Sequence, residues 1–179
     1  CKILASSNSE SLFSDLTSLE EIYFDVFSTE NVTNMNYMFK NCSSLKNLDL
    51  RKFTIGSVKT ITGSGIKYKF IVEMFYNCSS LEYLDLSSFN MENFTKPSYL
   101  PSYEDSDFLN FGNNNNIKKI KTPHNVKVEL KITTNSTLYD EGGNVVTSVP
   151  KDTTTSLTFR RYDNVEFPQA WKTELSSSN

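Results

Sequence analysis

The stretch MFKNCSSLKNLDL, Met38 to Leu50, returns as MFYNCSSLEYLDL, Met74 to Leu86. Ten of the thirteen positions are identical, and Lys40, Lys46 and Asn47 stand against Tyr76, Glu82 and Tyr83. Outward from this pair, Leu19, Leu45, Leu81 and Ile117 are spaced by 26, 36 and 36 residues. The same intervals connect Phe13, Phe39, Phe75 and Phe111, then Ile22, Leu48, Leu84 and Ile120. Shorter columns run through Phe27, Phe53 and Phe89 and through Val32, Val58 and Phe94, so the chain holds four copies of one unit, the last degenerate. The ten extra residues of the longer intervals fall at one point of the unit, within TGSGIKYKFIV and KPSYLPSYEDSD. Insertions at a fixed point of a repeat map to loops on one side of a stacked array.

Within a unit, LKNLDL has the spacing of a short strand that sends alternate side chains inward. Leu48 and Leu50 then face the core, while Asn47, Asp49 and Arg51 line an open face. Met35, Met38, Phe39 and Cys42 follow the i, i+3, i+4, i+7 spacing of two helical turns, which predicts a short helix in each unit. A unit of this size buries too little apolar surface to repay its chain entropy alone, so stacking is a stability requirement. Asp15, Asn41, Asn77 and Asn113 form a polar column, as do Ser18, Ser44, Ser80 and Asn116. Short side chains of this kind satisfy turn backbones.

MFxNCSSLxxLDL, with NVTNMNY ahead of it, closely resembles the roughly 26-residue BspA-type leucine-rich repeat of bacterial surface proteins, whose units read VTxMxxMFxxCxSLxxLDLSxFxT. The resemblance covers about residues 11 to 123. It implies a right-handed solenoid, secretion or cell-surface display, and a role in adhesion without enzymatic activity. The insertions depart from the pattern, as does a fourth copy with Asn110 and Asn114 at the Met and Cys positions. The expected fold is therefore α/β: a right-handed leucine-rich-repeat solenoid of short strands and short helices over residues 1–123. A small C-terminal antiparallel β module is expected over 124–179. There VKVELKI alternates, STLYDEGGNVVTSVP places a Gly-Gly turn between strand-like runs, and TSLTFRRY supplies a further strand. Phe167 and Trp171 anchor an otherwise irregular tail.

A net charge of −3 gives no electrostatic reason to expect nucleic acid. No apolar run reaches the ~18 residues of a membrane span. The start at Cys1, without an initiator Met, suggests a piece of something longer. Three scattered cysteines make neither a disulfide scaffold nor a CxxC metal pair, although stacking could bring Cys42 and Cys78 within bridging distance. His124 is the only histidine, and a surface junction residue is the simpler reading than a catalytic one. The carboxylates of YEDSD, Tyr103 to Asp107, lack the spacing of a calcium loop. Asn-x-Ser/Thr triplets at Asn31, Asn41, Asn77, Asn93 and Asn135 include two that are simply the repeated NCS. Lys118, Lys119, Lys121, Lys127 and Lys131 form a solubilising basic patch.

The expected function is recognition: a non-enzymatic, monomeric cell-surface module without metal or cofactor, binding a protein or glycan on another cell or matrix. The outward positions are Glu21, Tyr23 and Asp25, then Asn47, Asp49 and Arg51, then Tyr83, Asp85 and Ser87, ending at Lys119 and Lys121. They vary from copy to copy while the interior stays fixed, as expected of a binding surface on a repeated scaffold. A duplicated catalytic site would instead keep its exposed polar residues. The alternative is a structural spacer or stalk of a larger envelope protein.

Overall fold

The computed structural model describes residues 2–58, 71–94, 108–162 and 168, with the backbone of 61–63 and 66–68. The central strand of the unit forms where the repeat places it. β3 (Asn47–Asp49), β6 (Tyr83–Asp85) and β8 (Lys119–Lys121) lie parallel and in register. Leu48 pairs with Leu84 and Leu84 with Ile120, all with no exposed surface. The copies thus sit side by side, and their aromatic column becomes a physical stack. Ring centroids are 5.3 Å apart for Phe13–Phe39, 6.4 Å for Phe39–Phe75 and 5.9 Å for Phe75–Phe111, each pair close to parallel.

The helix-containing solenoid is overturned. The described residues hold no helix, and their strands are distributed over four sheets in an all-β fold. The segments that carry helical spacing are turns, and the reason lies in their backbone. Ser11, Tyr37 and Glu73 occupy one repeat position and have φ of 56°, 58° and 43°. Four residues later Asp15, Asn41 and Asn77 have φ of 62°, 61° and 60°. A left-handed residue costs an L-amino acid roughly 1–2 kcal/mol and interrupts a right-handed helix. Asn and Asp bear that cost best, which accounts for the polar column.

These two left-handed points redirect every second amide out of the turn. Tyr37, Phe39 and Asn41 donate across to the carbonyls of Val72, Met74 and Tyr76 at 2.9–3.0 Å. The residues between them, Met38, Lys40 and Cys42, donate back to Met35, Tyr37 and Phe39 at 3.0–3.3 Å. The first copy repeats the pattern, with Ser9, Ser11, Phe13 and Asp15 donating to Asn34, Asn36, Met38 and Lys40 at 2.8–3.0 Å. Helical spacing of apolar residues therefore serves a turn whose hydrogen bonds run between copies.

The C-terminal residues form antiparallel pairs, but these join the repeat's own sheets. β13 (Thr158–Arg160) runs antiparallel to β8, placing buried Phe159 on Ile120. β10 (Leu138–Tyr139) and β11 (Val145–Val146) continue outward from it, giving six strands in the order β11-β10-β13-β8-β6-β3. Their hairpin turns at Asp140–Asn144, where Gly143 has φ 81° and the Asp140 carboxylate accepts the Asn144 amide at 2.8 Å. The Asp140 carboxyl is held below its ordinary range by that amide. On the opposite side, β9 (Leu130–Thr133) lies parallel to β7 (Leu109–Asn110) and antiparallel to β12 (Ser148–Val149). β1 (Ile3–Leu4) pairs with β2 (Phe27–Ser28), and β4 (Ile61–Gly63) with β5 (Ile66–Tyr68) lies in the first insertion.

Candidate functional site

The outward residues of the first two copies meet in a cleft of about 120 Å³. Glu21, Tyr23 and Asp25 line it from the first copy, Asn47, Asp49, Arg51 and Lys52 from the second, and Pro168 closes one side. The alternation of the strand segments puts Ile22 and Phe24 at its floor. Glu21 bridges in parallel to Asn47, and the Asn47 amide donates to the Glu21 carboxylate at 3.4 Å.

Tyr23 is 70% exposed, and its hydroxyl donates to Glu21 at 2.7 Å. That bond raises the phenol pKa and leaves the ring faces as the free part of the side chain. Arg51 is fixed on its own strand by a two-point bond to Asp49, with Nη2–Oδ2 at 2.5 Å and Nε–Oδ1 at 2.9 Å. Bidentate pairing holds the guanidinium plane in one orientation. Lys52 reaches Asp25 at 3.3 Å. The cleft therefore presents one aromatic face among fixed charges of both signs.

The third and fourth copies continue the face differently. Tyr83 and Ser87 are half-buried, and Asp85 is only 4% exposed, its carboxylate accepting the Ser87 amide at 2.8 Å. Asp85 closes a turn and is not displayed. Lys119 and Lys121 stand half-buried beside Tyr83 and Asp85 in the strand register. His124 is a junction residue: its Nδ1 lies 3.0 Å from the Ser87 carbonyl and its amide donates to Phe89.

Sequence reasoning missed the ladders that connect exposed positions. Glu20, Lys46, Glu82 and Lys118 share one repeat position and alternate in sign. Lys46 bonds Glu20 at 2.8 Å and Lys118 bonds Glu82 at 2.6 Å. The Lys46 bond lowers the Glu20 pKa, and the Glu20 bond raises that of Lys46. Lys40 pairs with Glu73 at 2.5 Å and lies over the rings of Tyr37 and Tyr76 at 4.9 and 5.2 Å. Lys118 lies 5.7 Å from the Tyr83 ring. The sign alternation was readable in the sequence once the copies were aligned.

Cys42 and Cys78 are free, buried thiols. Each Sγ donates to the copy before it, Cys42 to the Phe13 carbonyl at 3.0 Å and Cys78 to that of Phe39 at 3.1 Å. Burial pushes the Cys42 pKa up to about 11 and that of Cys78 higher still. A thiol held neutral in this way is a packing group and a poor nucleophile. The described residues contain no group of three or more His, Cys, Asp or Glu able to hold a metal ion, and no helix long and apolar enough to cross a membrane. The carboxylates at Tyr103 to Asp107, and the anchors Phe167 and Trp171, lie outside the described residues.

The repeat register also decides what the chain is similar to. A family model described as a Mycoplasma protein of unknown function, DUF285, matches residues 6–100. The chain belongs to the DUF285 family. The DUF285 match takes in β2 to β6, and it does not confirm a BspA-type leucine-rich repeat. No curated protein and no solved structure matches the chain.

Proposed function

We propose that this DUF285 chain is a non-enzymatic recognition module, displayed at the cell surface or secreted, that binds a protein or glycan ligand through its strand face. The observation that carries the reading is the cleft over the first two copies, where a 70%-exposed Tyr23 stands beside the fixed Arg51–Asp49 pair. Tyr and Arg are enriched among the few residues that carry most of the energy of an interface. The resemblance of MFxNCSSLxxLDL to repeats of bacterial surface proteins supports the location.

The test is a binding screen of the chain against immobilised matrix proteins and glycans, followed by Tyr23→Ala and Arg51→Ala. Both substitutions are expected to abolish binding while leaving the Tm unchanged. Binding that survives both removes the cleft from the proposal. The spacer reading draws on the charge ladder of Glu20, Lys46, Glu82 and Lys118, which ties exposed variation to contacts between copies. A chain that binds nothing in the screen favours it.

A further inference from the structure

β10 and β13 meet in one registered pair, Tyr139 with Arg160, and then part. Continued, that register would set Glu141 opposite Thr158, yet no backbone hydrogen bond joins the two. A cavity of about 450 Å³ fills the gap, larger than the strand-face cleft and sharing no residue with it. The chain closes its far side as it passes from β11 to β12, where Val146 belongs to one sheet and Ser148 to the other. A concave site of roughly 300–1,000 Å³ with an apolar base and a few convergent polar groups is the usual form of a small-molecule site.

The base is aliphatic and the walls are hydroxylated. Val146 and Leu157 lie half-buried at the base, beside buried Phe159. Thr155, Ser156 and Thr158 line the cavity with hydroxyls that bond no described residue, and each is open to water. Leu157 and Arg161 bond to Thr122 and Lys118 on the β8 side, so the alternation of an antiparallel strand turns the Thr158 amide and carbonyl toward the gap. The remaining polar groups differ in what they have left. Asp140 is committed to its hairpin through the Asn144 amide, and Ser148 donates to Glu129 at 2.6 Å. Glu141 is exposed and bonds no described residue.

This set of groups discriminates among ligands. An anion would meet the two carboxylates, and no described Lys or Arg lines the cavity. An organic ammonium satisfies Glu141 but has no acceptor for the hydroxyl hydrogens that it would strip of water. An apolar ligand leaves every wall group unsatisfied. A sugar hydroxyl both donates and accepts, and the C–H face of a sugar ring covers an aliphatic base. We propose that this cavity binds a neutral saccharide of one or two rings, held by the hydroxyls of Ser156 and Thr158, the Glu141 carboxylate and the Thr158 backbone. The site needs none of the residues of the cleft at Tyr23.

The test is an NMR titration of the full chain, labelled at its Val and Leu methyl groups, with maltose, cellobiose and lactose. Glucuronate and n-hexylamine serve as the anionic and cationic probes. At least one neutral sugar should shift the Val146 and Leu157 methyls saturably, and neither charged probe should do so. Ser156→Ala with Thr158→Val should weaken that sugar roughly tenfold or more, since two hydrogen bonds are lost. The Tm should stay unchanged, because neither hydroxyl has a partner within the described chain. Tyr23→Ala should leave the shifts intact. The proposal is overturned if none of the three sugars moves these methyls, if hexylamine binds more tightly than all of them, or if the double variant binds as the parent does. It is overturned equally if Tyr23→Ala abolishes the shifts, because the sugar then sits in the strand-face cleft.

Discussion

Replacing Asn114 should destabilise the chain more than its place in a degenerate copy suggests. Asn114 stands at the repeat position of Cys42 and Cys78 and is fully buried. Its Nδ2 donates to the carbonyls of Cys78 at 2.6 Å and Leu81 at 3.0 Å, while its Oδ1 accepts the amides of Asn116 at 2.5 Å and Ile117 at 3.0 Å. One side chain thus satisfies the third copy's turn and shapes the fourth's. The Cys78 carbonyl keeps the Leu81 amide, so Asn114→Ala strands up to three backbone groups, and an unsatisfied buried group costs about 1–3 kcal/mol. Because the Asn116 end is only part-buried, the expected loss is about 3–5 kcal/mol, which for a chain of this size lowers the Tm by about 6–20 °C. Asn114→Asp is the sharper control, since an ionised carboxylate keeps the two accepted bonds but cannot donate to the carbonyls. Burial would raise its folded pKa above the ordinary ~3.9, so its stability should be best at acid pH and fall as pH rises. Urea denaturation at two pH values measures both effects. A loss under about 1 kcal/mol for Asn114→Ala would refute the reasoning, because neighbouring groups would then be satisfying the stranded partners.

Phe75→Ala, at the middle of the aromatic stack and fully buried, should cost about 3–5 kcal/mol in the same assay. Phe13→Ala, half-buried in the first copy, should cost clearly less. Lys46→Glu places like charges along Glu20, position 46 and Glu82, so the Tm should fall at low salt and recover as ionic strength screens the repulsion. The buried thiols give a pH dependence of known sign. Folding raises their pKa, so this contribution is complete below the unfolded thiol value of about 8.5 and is lost as pH rises toward about 11 for Cys42. Urea midpoints should therefore decline between pH 8 and 10, and Cys42→Ala with Cys78→Ala should flatten the decline. Neither thiol should react with a maleimide at neutral pH until the chain unfolds.

Interior columns were legible because burial repeats with the unit. Phe13, Phe39, Phe75 and Phe111 stack at the intervals that the sequence shows, and Leu48, Leu84 and Ile120 pair at theirs. The turn was misread because Met35, Met38, Phe39 and Cys42 have helical spacing, and apolar periodicity cannot see a left-handed residue. The useful sign was Asp or Asn at positions 15, 41 and 77, a residue type that tolerates φ near +60°. The face was legible as alternation along a strand, but alternation carries no information on depth. Asp85 therefore looked outward while its carboxylate closes a turn under the third copy. The cleft needed Pro168, a residue remote in sequence from the strands that it borders.

Variation among copies was the main sequence argument for a binding face, and the structure divides that variation into two kinds. At the positions where the two near-identical stretches differ, Lys40 lies over the Tyr76 ring, and Lys46 joins an alternating column that also holds Glu82. Tyr83 carries Lys118 of the next copy near its ring. A side chain committed to its neighbouring copy varies because its partner varies, and it would do so with no ligand at all. Tyr23 differs from these: its hydroxyl is held within its own copy by Glu21, and its ring meets solvent above the cleft. Exposed variation therefore counts toward recognition only where no adjacent copy absorbs it. That condition moves the weight of the functional reading from the whole strand face to the first two copies.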